Sequence, residues 1–245
     1  MAKNRQILLK TKKNYTLNFS PKRRNKKTIK FVILHYTGMV SEKKAIKKLI
    51  NEKSKVSSHY FIKKNGEIIN LLPDTYEAWH AGVSKWKKLR SLNKYSIGIE
   101  IDNPGHKFGY KKFSNRQISS IITLLRYLKK KYNIKKENFL GHSDIAPERK
   151  KDPGEKFPWK FLSKKKLCIW HNLSDKKLKP LRVKKINLLD QSIFWKNLSR
   201  IGYDTKKEKS LVIKAFQRRF RQSLINGKAD KECFFISKSL NNLSN

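Results

Sequence analysis

His142 and Asp152 stand ten positions apart in one polar stretch, Gly141-His142-Ser143-Asp144-Ile145-Ala146-Pro147-Glu148-Arg149-Lys150-Lys151-Asp152-Pro153-Gly154, with Lys150 two residues before the aspartate. A second histidine, His35, ends an earlier apolar run, Phe31-Val32-Ile33-Leu34. Two imidazoles and one carboxylate suit zinc, and as three ligands they leave a tetrahedral ion one open corner. A histidine at a strand end is, alone, more often structural than liganding. The set says more than its members, because Asp152-Pro153-Gly154 forms a rigid turn that can hold a carboxylate in place. The pattern points to metal-dependent hydrolysis.

Other side chains acquire roles around that set. Glu100 lies inside Ser96-Ile97-Gly98-Ile99-Glu100-Ile101-Asp102. On a half-exposed strand it would face solvent; beside a metal it is the natural general base for a water of lowered pKa. Lys150, on an extended segment, points to the same side as Asp152. There it can stabilise an oxyanion, although one more solvated lysine beside Lys151 is the plainer reading. Asp144 either orients an imidazole or caps a helix, the cap being favoured. His59 and His80 fit buried structural histidines as well as they fit substrate contacts. Trp79-His80-Ala81-Gly82 mixes aromatic and small residues as a binding rim does. His106 and His171 carry no comparable context.

The elements that must position these groups can be read from periodicity. Residues 1–28 are basic and polar and read as an arm or an early edge strand. Phe31 to Tyr36 is a short apolar run, expected as a buried strand delivering His35. Ser41 can cap a helix with Ala45, Ile46, Leu49 and Ile50 on its apolar face. Lys64-Asn65-Gly66 between two apolar runs signals a hairpin. Ser114-Asn115-Arg116-Gln117 is a capping box opening a long helix through Ile118, Ile121, Ile122, Leu125 and Leu128. Asn138 to Gly141 is then a strand delivering His142. The expected fold class is α/β (α+β), with a mixed central sheet flanked by helices over 29–165. Residues 166–187 read as a connector. Residues 188–245 read as a small three-helix domain, with helical patterns around Phe194, Phe216 and Asp230–Leu240.

Composition adds charge. Sixty Lys+Arg against eighteen Asp+Glu give +42 over 245 residues. Such a surplus attracts polyanions such as anionic wall polymer or lipid. Lysine is spread along the chain with no basic stripe of interleaved aromatics, so specific nucleic-acid binding is not expected. A lysine-rich proteome accounts for the charge as well. Two distant cysteines, Cys168 and Cys233, make neither a disulfide framework nor a thiolate zinc site. No apolar run approaches a membrane span, and Ile7-Leu8-Leu9 is far short of a secretory core, so a cytoplasmic setting is expected, with periplasm or envelope as the alternative.

At these residues the chain resembles the zinc-dependent N-acetylmuramoyl-L-alanine amidases, which share their fold with peptidoglycan recognition proteins. The matching stretches are Leu34-His35-Tyr36-Thr37, Val56-Ser57-Ser58-His59-Tyr60, Ala78-Trp79-His80-Ala81-Gly82, Ser96 to Ile101, and Gly141 to Gly154 with Phe157-Pro158-Trp159. They occur in family order over residues 30–160. The resemblance implies one Zn2+ held by His35, His142 and Asp152, Glu100 as catalytic base and Lys150 as its electrostatic partner. It implies hydrolysis of the amide between the lactyl group of N-acetylmuramic acid and L-alanine, in peptidoglycan or soluble muropeptides. Tyr36, His59, Trp79 and His80 become substrate-contact candidates. Many cytosolic relatives carry an arginine two positions before the equivalent of Asn93; here Ser91 stands there and Arg90 is one step earlier, which makes Arg90 the candidate for substrate carboxylates. The tail resembles a small helical peptidoglycan-binding module. A non-catalytic wall-binding protein on the same fold is the competing reading, and the presence of all three ligand positions argues against it.

Overall fold

The structure, a computed structural model, describes residues 11–243, so the first ten residues of the expected basic arm lie outside the described part. Ten strands run in chain order as β1 (Lys12–Lys13), β2 (Phe19–Ser20), β3 (Phe31–Tyr36), β4 (Tyr60–Ile62), β5 (Ile68–Asn70), β6 (Glu77–Ala78), β7 (Lys85–Trp86), β8 (Leu89–Arg90), β9 (Ser96–Ile101) and β10 (Phe139–Gly141). The helices are α1 (Glu42–Ile50), α2 (Asn115–Tyr132), α3 (His142–Ile145), α4 (Trp159–Lys164), α5 (Asp175–Leu178), α6 (Leu188–Ile201), α7 (Lys209–Phe220) and α8 (Lys231–Asn242). None of them is long and apolar enough to cross a membrane.

Six strands form a mixed sheet of the kind the sequence leads one to expect, in the order β1-β5-β4-β9-β3-β10. β3 lies between β9 and the edge strand β10 and is parallel to both, while β4 and β5 form the antiparallel hairpin that Asn65-Gly66 signals. Strand alternation then decides which face each residue serves. Val32, Leu34, Ile97, Ile99 and Ile101 point to one face, where Ile121, Leu124, Leu125 and Leu128 of α2 cover them. The capping box is present: Gln117 N–H donates to Ser114 Oγ and Ser114 N–H to Gln117 Oε1. Phe31 and Ile33 point to the other face, into a cluster with Phe194, Leu198, Phe216 and Phe220 of the C-terminal helices. α1 packs beside them, Ala45 and Leu49 meeting Phe61 and Ile69. His35 and Glu100, register partners on β3 and β9, continue this second face. The site therefore opens on this face, beside α1.

Of the two segments around the central domain, the first takes the edge-strand form of its reading and the second departs from its reading. The basic arm is tied down over its described part: β1 pairs with β5, β2 with β6, and Arg24 donates to the carbonyls of Asn93, Ser96 and Asp74. The expected connector at 166–187 is packed, with Leu167, Cys168, Ile169 and Leu178 buried. Its apolar residues follow no helical or strand period because they are divided between two clusters: Leu167 and Cys168 join α2 and α4, while Ile169 and Leu178 join β3, β10 and the C-terminal helices.

Candidate active site

His35 arrives at the C-terminal end of β3, His142 is the first residue of α3 directly after β10, and Asp152 lies in the loop beyond α3. The amide of Ser143 donates to the carbonyl oxygen of Asp152 at 2.9 Å, which ties the two ends of that loop together. His35 Nδ1 and His142 Nδ1 are 2.9 Å apart, and each is 3.0 Å from Asp152 Oδ2. All three side chains are buried, with ligand atoms within 4.8 Å of one another.

The hydrogen-bond network shows what these atoms carry. Ser96 Oγ–H donates to the carbonyl of Leu92 at 2.6 Å, so Ser96 Oγ accepts from His80 Nε2–H at 3.2 Å. His80 Nδ1 is then an acceptor for His35 Nε2–H at 3.0 Å, which leaves a lone pair on His35 Nδ1. His142 Nε2–H donates to the carbonyl of Ala81 at 3.1 Å, leaving a lone pair on its Nδ1 too. Two bare ring nitrogens and a carboxylate thus converge on one point, a donor set that fits a zinc ion. Burial, then the neighbouring His142, pushes His35 down to about 4, so it is neutral near pH 7. Burial likewise carries His80 well below its ordinary value.

Glu100 is enclosed beside this cluster, its Oε2 without a hydrogen-bond partner among the described residues. Burial, reinforced by the charge of Asp152, lifts it to about 8, while Lys150 and Lys48 pull the other way. A carboxylate with an unsatisfied oxygen and an affinity for protons near neutrality is equipped to take a proton and return it. Gly98, two residues earlier on the same face, lies under the His80 ring: a Cβ there would sit 2.4 Å from His80 Cγ.

The cleft over this cluster has a volume of about 660 Å³ and is lined by His35, Tyr36, Trp79, His80, Glu100, His142, Lys150 and Asp152 from the sequence-derived set. His59 and Arg90 are not in it. His59 is fully buried, its Nδ1 accepting from Gly98 N–H and its Nε2 beside Tyr76 O and Arg24, so it braces β4 against β9. Arg90 is exposed on the β7–β8 ribbon, away from the cleft lining. Asp144 is a cap: its Oδ2 accepts from Gly141 N–H at 2.8 Å.

Sequence reasoning missed Lys48, Lys107, Arg149 and His106, which also line the cleft. Arg149 is occupied structurally, donating to the carbonyls of Ala81 and Val83. Tyr36 Oη–H donates to His106 Nδ1 at 2.8 Å, and His106 Nε2–H to Glu155 at 3.0 Å, while the His106 ring stacks on Tyr110. Gly105 (φ +67°) permits this, since a Cβ would lie 2.5 Å from the Tyr36 ring. No pattern marks His106 in the sequence, because its partners are 70 and 49 positions away.

A family model described as N-acetylmuramoyl-L-alanine amidase matches residues 25–155, more than half of the chain, and spans every residue of the cluster. The chain belongs to the N-acetylmuramoyl-L-alanine amidase family. This amidase is 35% identical over 229 residues to the N-acetylmuramoyl-L-alanine amidase AmiD of Escherichia coli (strain K12), covering 86% of this chain and 82% of that one. Its fold is similar to that of E. coli AmiD in complex with anhydro-N-acetylmuramic acid-L-Ala-D-gamma-Glu-L-Lys (TM-score 0.77, 33% identity, 91% of this chain and 92% of that chain). It is similar again to Pseudomonas aeruginosa AmpDh3 in complex with anhydromuramic pentapeptide (TM-score 0.77, 28% identity, 92% and 94% covered). Both alignments run through the C-terminal helices as well as the sheet. The family membership and the site agree on an amidase that cleaves the bond between N-acetylmuramic acid and L-alanine.

Proposed function

We propose that this amidase is a zinc enzyme acting on muropeptides, including those with an anhydro-sugar, and that His35, His142 and Asp152 hold the ion. The observation that carries the reading is the convergence of two unprotonated Nδ1 atoms and one carboxylate within 3.0 Å beside a half-buried glutamate whose Oε2 is buried without a hydrogen-bond partner among the described residues. Three electron-pair donors pointed at one another are mutually repulsive without a cation between them. Zinc there would polarise the scissile carbonyl and lower the pKa of the attacking water. Glu100 takes the proton from that water and passes it to the leaving amine of L-alanine, as its high proton affinity allows. Lys150 faces the same cleft and balances the negative charge that develops on the carbonyl oxygen. Tyr36, Trp79 and His80 contribute cleft wall for the sugar and the first peptide residue.

Lys48, Lys107 and Lys151 line the cleft, and no described acidic side chain forms an ion pair with any of them. They supply the attraction for stem-peptide carboxylates that an arginine at the position of Ser91 would otherwise give. The +42 charge further supports a loose association with anionic wall or lipid, which weakens with salt.

Mass spectrometry of products tests this reading. Incubated with zinc and soluble anhydromuropeptide, the protein is expected to release free stem peptide beginning at L-alanine and peptide-free anhydro-sugar. Intact sacculi, assayed in parallel, report whether polymer is also cut. Cleavage within the peptide or the glycan, or binding of muropeptide without turnover, would contradict it.

A further inference from the structure

The C-terminal helices reach the metal cluster from behind. Arg219 of α7 is 2% exposed, and its guanidinium straddles the segment that carries His142. Nη2–H donates to the carbonyl of Phe139 on β10 at 2.9 Å, and Nη1–H to Asp144 Oδ2 on α3 at 2.6 Å. His142 lies between these two anchor points in the chain. Tyr203, which follows α6, donates its hydroxyl to the other oxygen, Asp144 Oδ1, at 2.6 Å. Asp144 Oδ2 also accepts from Gly141 N–H, so one carboxylate collects the backbone before His142 and two side chains of the helical module. The Ser143 amide then links this segment to the Asp152 carbonyl, which extends the clamp to a second ligand. The indole of Trp159 closes the far side, its ring centroid 4.5 Å from the Arg219 guanidinium carbon.

We propose that Arg219 and Tyr203 are positioning residues for the metal site, so that the helical module is a structural part of the catalytic centre and more than a wall-binding attachment. A buried charge pair costs desolvation on both sides and is retained where it enforces a geometry. Here the geometry enforced is the exit of β10 into α3, the turn that aims His142 Nδ1 at the cluster. Groups that orient a metal ligand typically change metal affinity by about 10–100-fold when removed. A second buried ion network in the same module serves as an internal comparison. Arg221 pairs with Asp230 and Glu232 and donates to Asn226 Oδ1, none of which touches the segment from Phe139 to Asp152.

The inference rests on the zinc reading, and the test separates the two. Zinc dissociation constants are measured by competition with a chromophoric chelator for the full-length wild type, Arg219→Met, Tyr203→Phe and Arg221→Met, with the fold of each metal-free protein checked by circular dichroism and melting. Wild type is expected to bind one zinc tightly. Arg219→Met is expected to bind about 10–100-fold more weakly, Tyr203→Phe several-fold more weakly, and Arg221→Met as the wild type does even if its melting temperature falls. Tyr203→Phe removes one hydroxyl without leaving a cavity, so it carries the test if Arg219→Met does not fold. Folded Arg219→Met or Tyr203→Phe with wild-type zinc affinity would overturn the proposal, as would an equal loss in Arg221→Met. Failure of the wild type to bind zinc would instead sink the assignment of the ligands.

Discussion

Glu100→Gln is expected to lower turnover by about 10²–10⁴-fold while one metal ion per chain is retained. The substitution keeps the size and polarity of the side chain but removes its capacity to accept a proton. Glu100 is enclosed by β3 and β9 on the face away from α2, and burial together with Asp152 lifts its proton affinity to about 8. No other carboxylate among the described residues lines the cleft except Asp152, whose Oδ2 is committed to the two histidines. Water therefore has no substitute carboxylate base within the cavity, and the loss falls on kcat. The check is steady-state kinetics on a muropeptide, together with elemental analysis of the variant. Unchanged kcat would remove Glu100 from the mechanism, and a metal-free variant would show that it acts as a ligand.

Lys150→Met is expected to cost about 10²–10³-fold in kcat, the amount seen when a single oxyanion-stabilising group is removed. The thioether occupies similar volume, so the change is one of charge. The argument for Lys150 over its neighbours is geometric. It lines the cleft, and its charge reaches both His35 and Glu100. Lys151 lines the cleft too but is exposed, whereas Lys150 is half-buried. An interaction made with the developing oxyanion lowers kcat and kcat/KM together, whereas a contact with a substrate carboxylate raises KM alone. Lys150→Met is expected to show the first pattern and Lys151→Met at most the second. The reverse assignment would move the oxyanion role to Lys151.

How far such a site can be read from sequence depends on the range of the forces that build it. Glu100 was legible because Ile97, Ile99 and Ile101 alternate with Gly98 and Glu100, and a period of two assigns opposite faces without tertiary knowledge. The capping box at Ser114 and the hairpin at Asn65-Gly66 are local devices complete within a few residues, and both stand in the structure. His35, His142 and Asp152 could be grouped by donor chemistry, although their approach to within 3.0 Å depends on the parallel pairing of β3 with β10.

The illegible parts are long-range. His59 resembles a cleft histidine in its motif, yet its imidazole serves the Gly98 amide 39 positions away. Asp144 reads as a cap and is one, but nothing nearby announces that Arg219, 75 positions on, completes its hydrogen bonding. The stretch from Ser163 to Lys185 looks like a linker because its buried residues obey no period; each fills a gap between two packed layers. His106 is illegible for the same reason, its Tyr36 and Glu155 partners being assembled only by the fold.

The central claim is that two imidazole nitrogens and one aspartate oxygen share a single divalent ion. X-ray absorption spectroscopy of the protein loaded with one equivalent of zinc tests it most directly. The account expects scattering from two imidazoles and from oxygen at about 2.0–2.2 Å, with no sulfur contribution. Sulfur in the first shell, a single imidazole, or no stoichiometric zinc bound by the folded protein would contradict it.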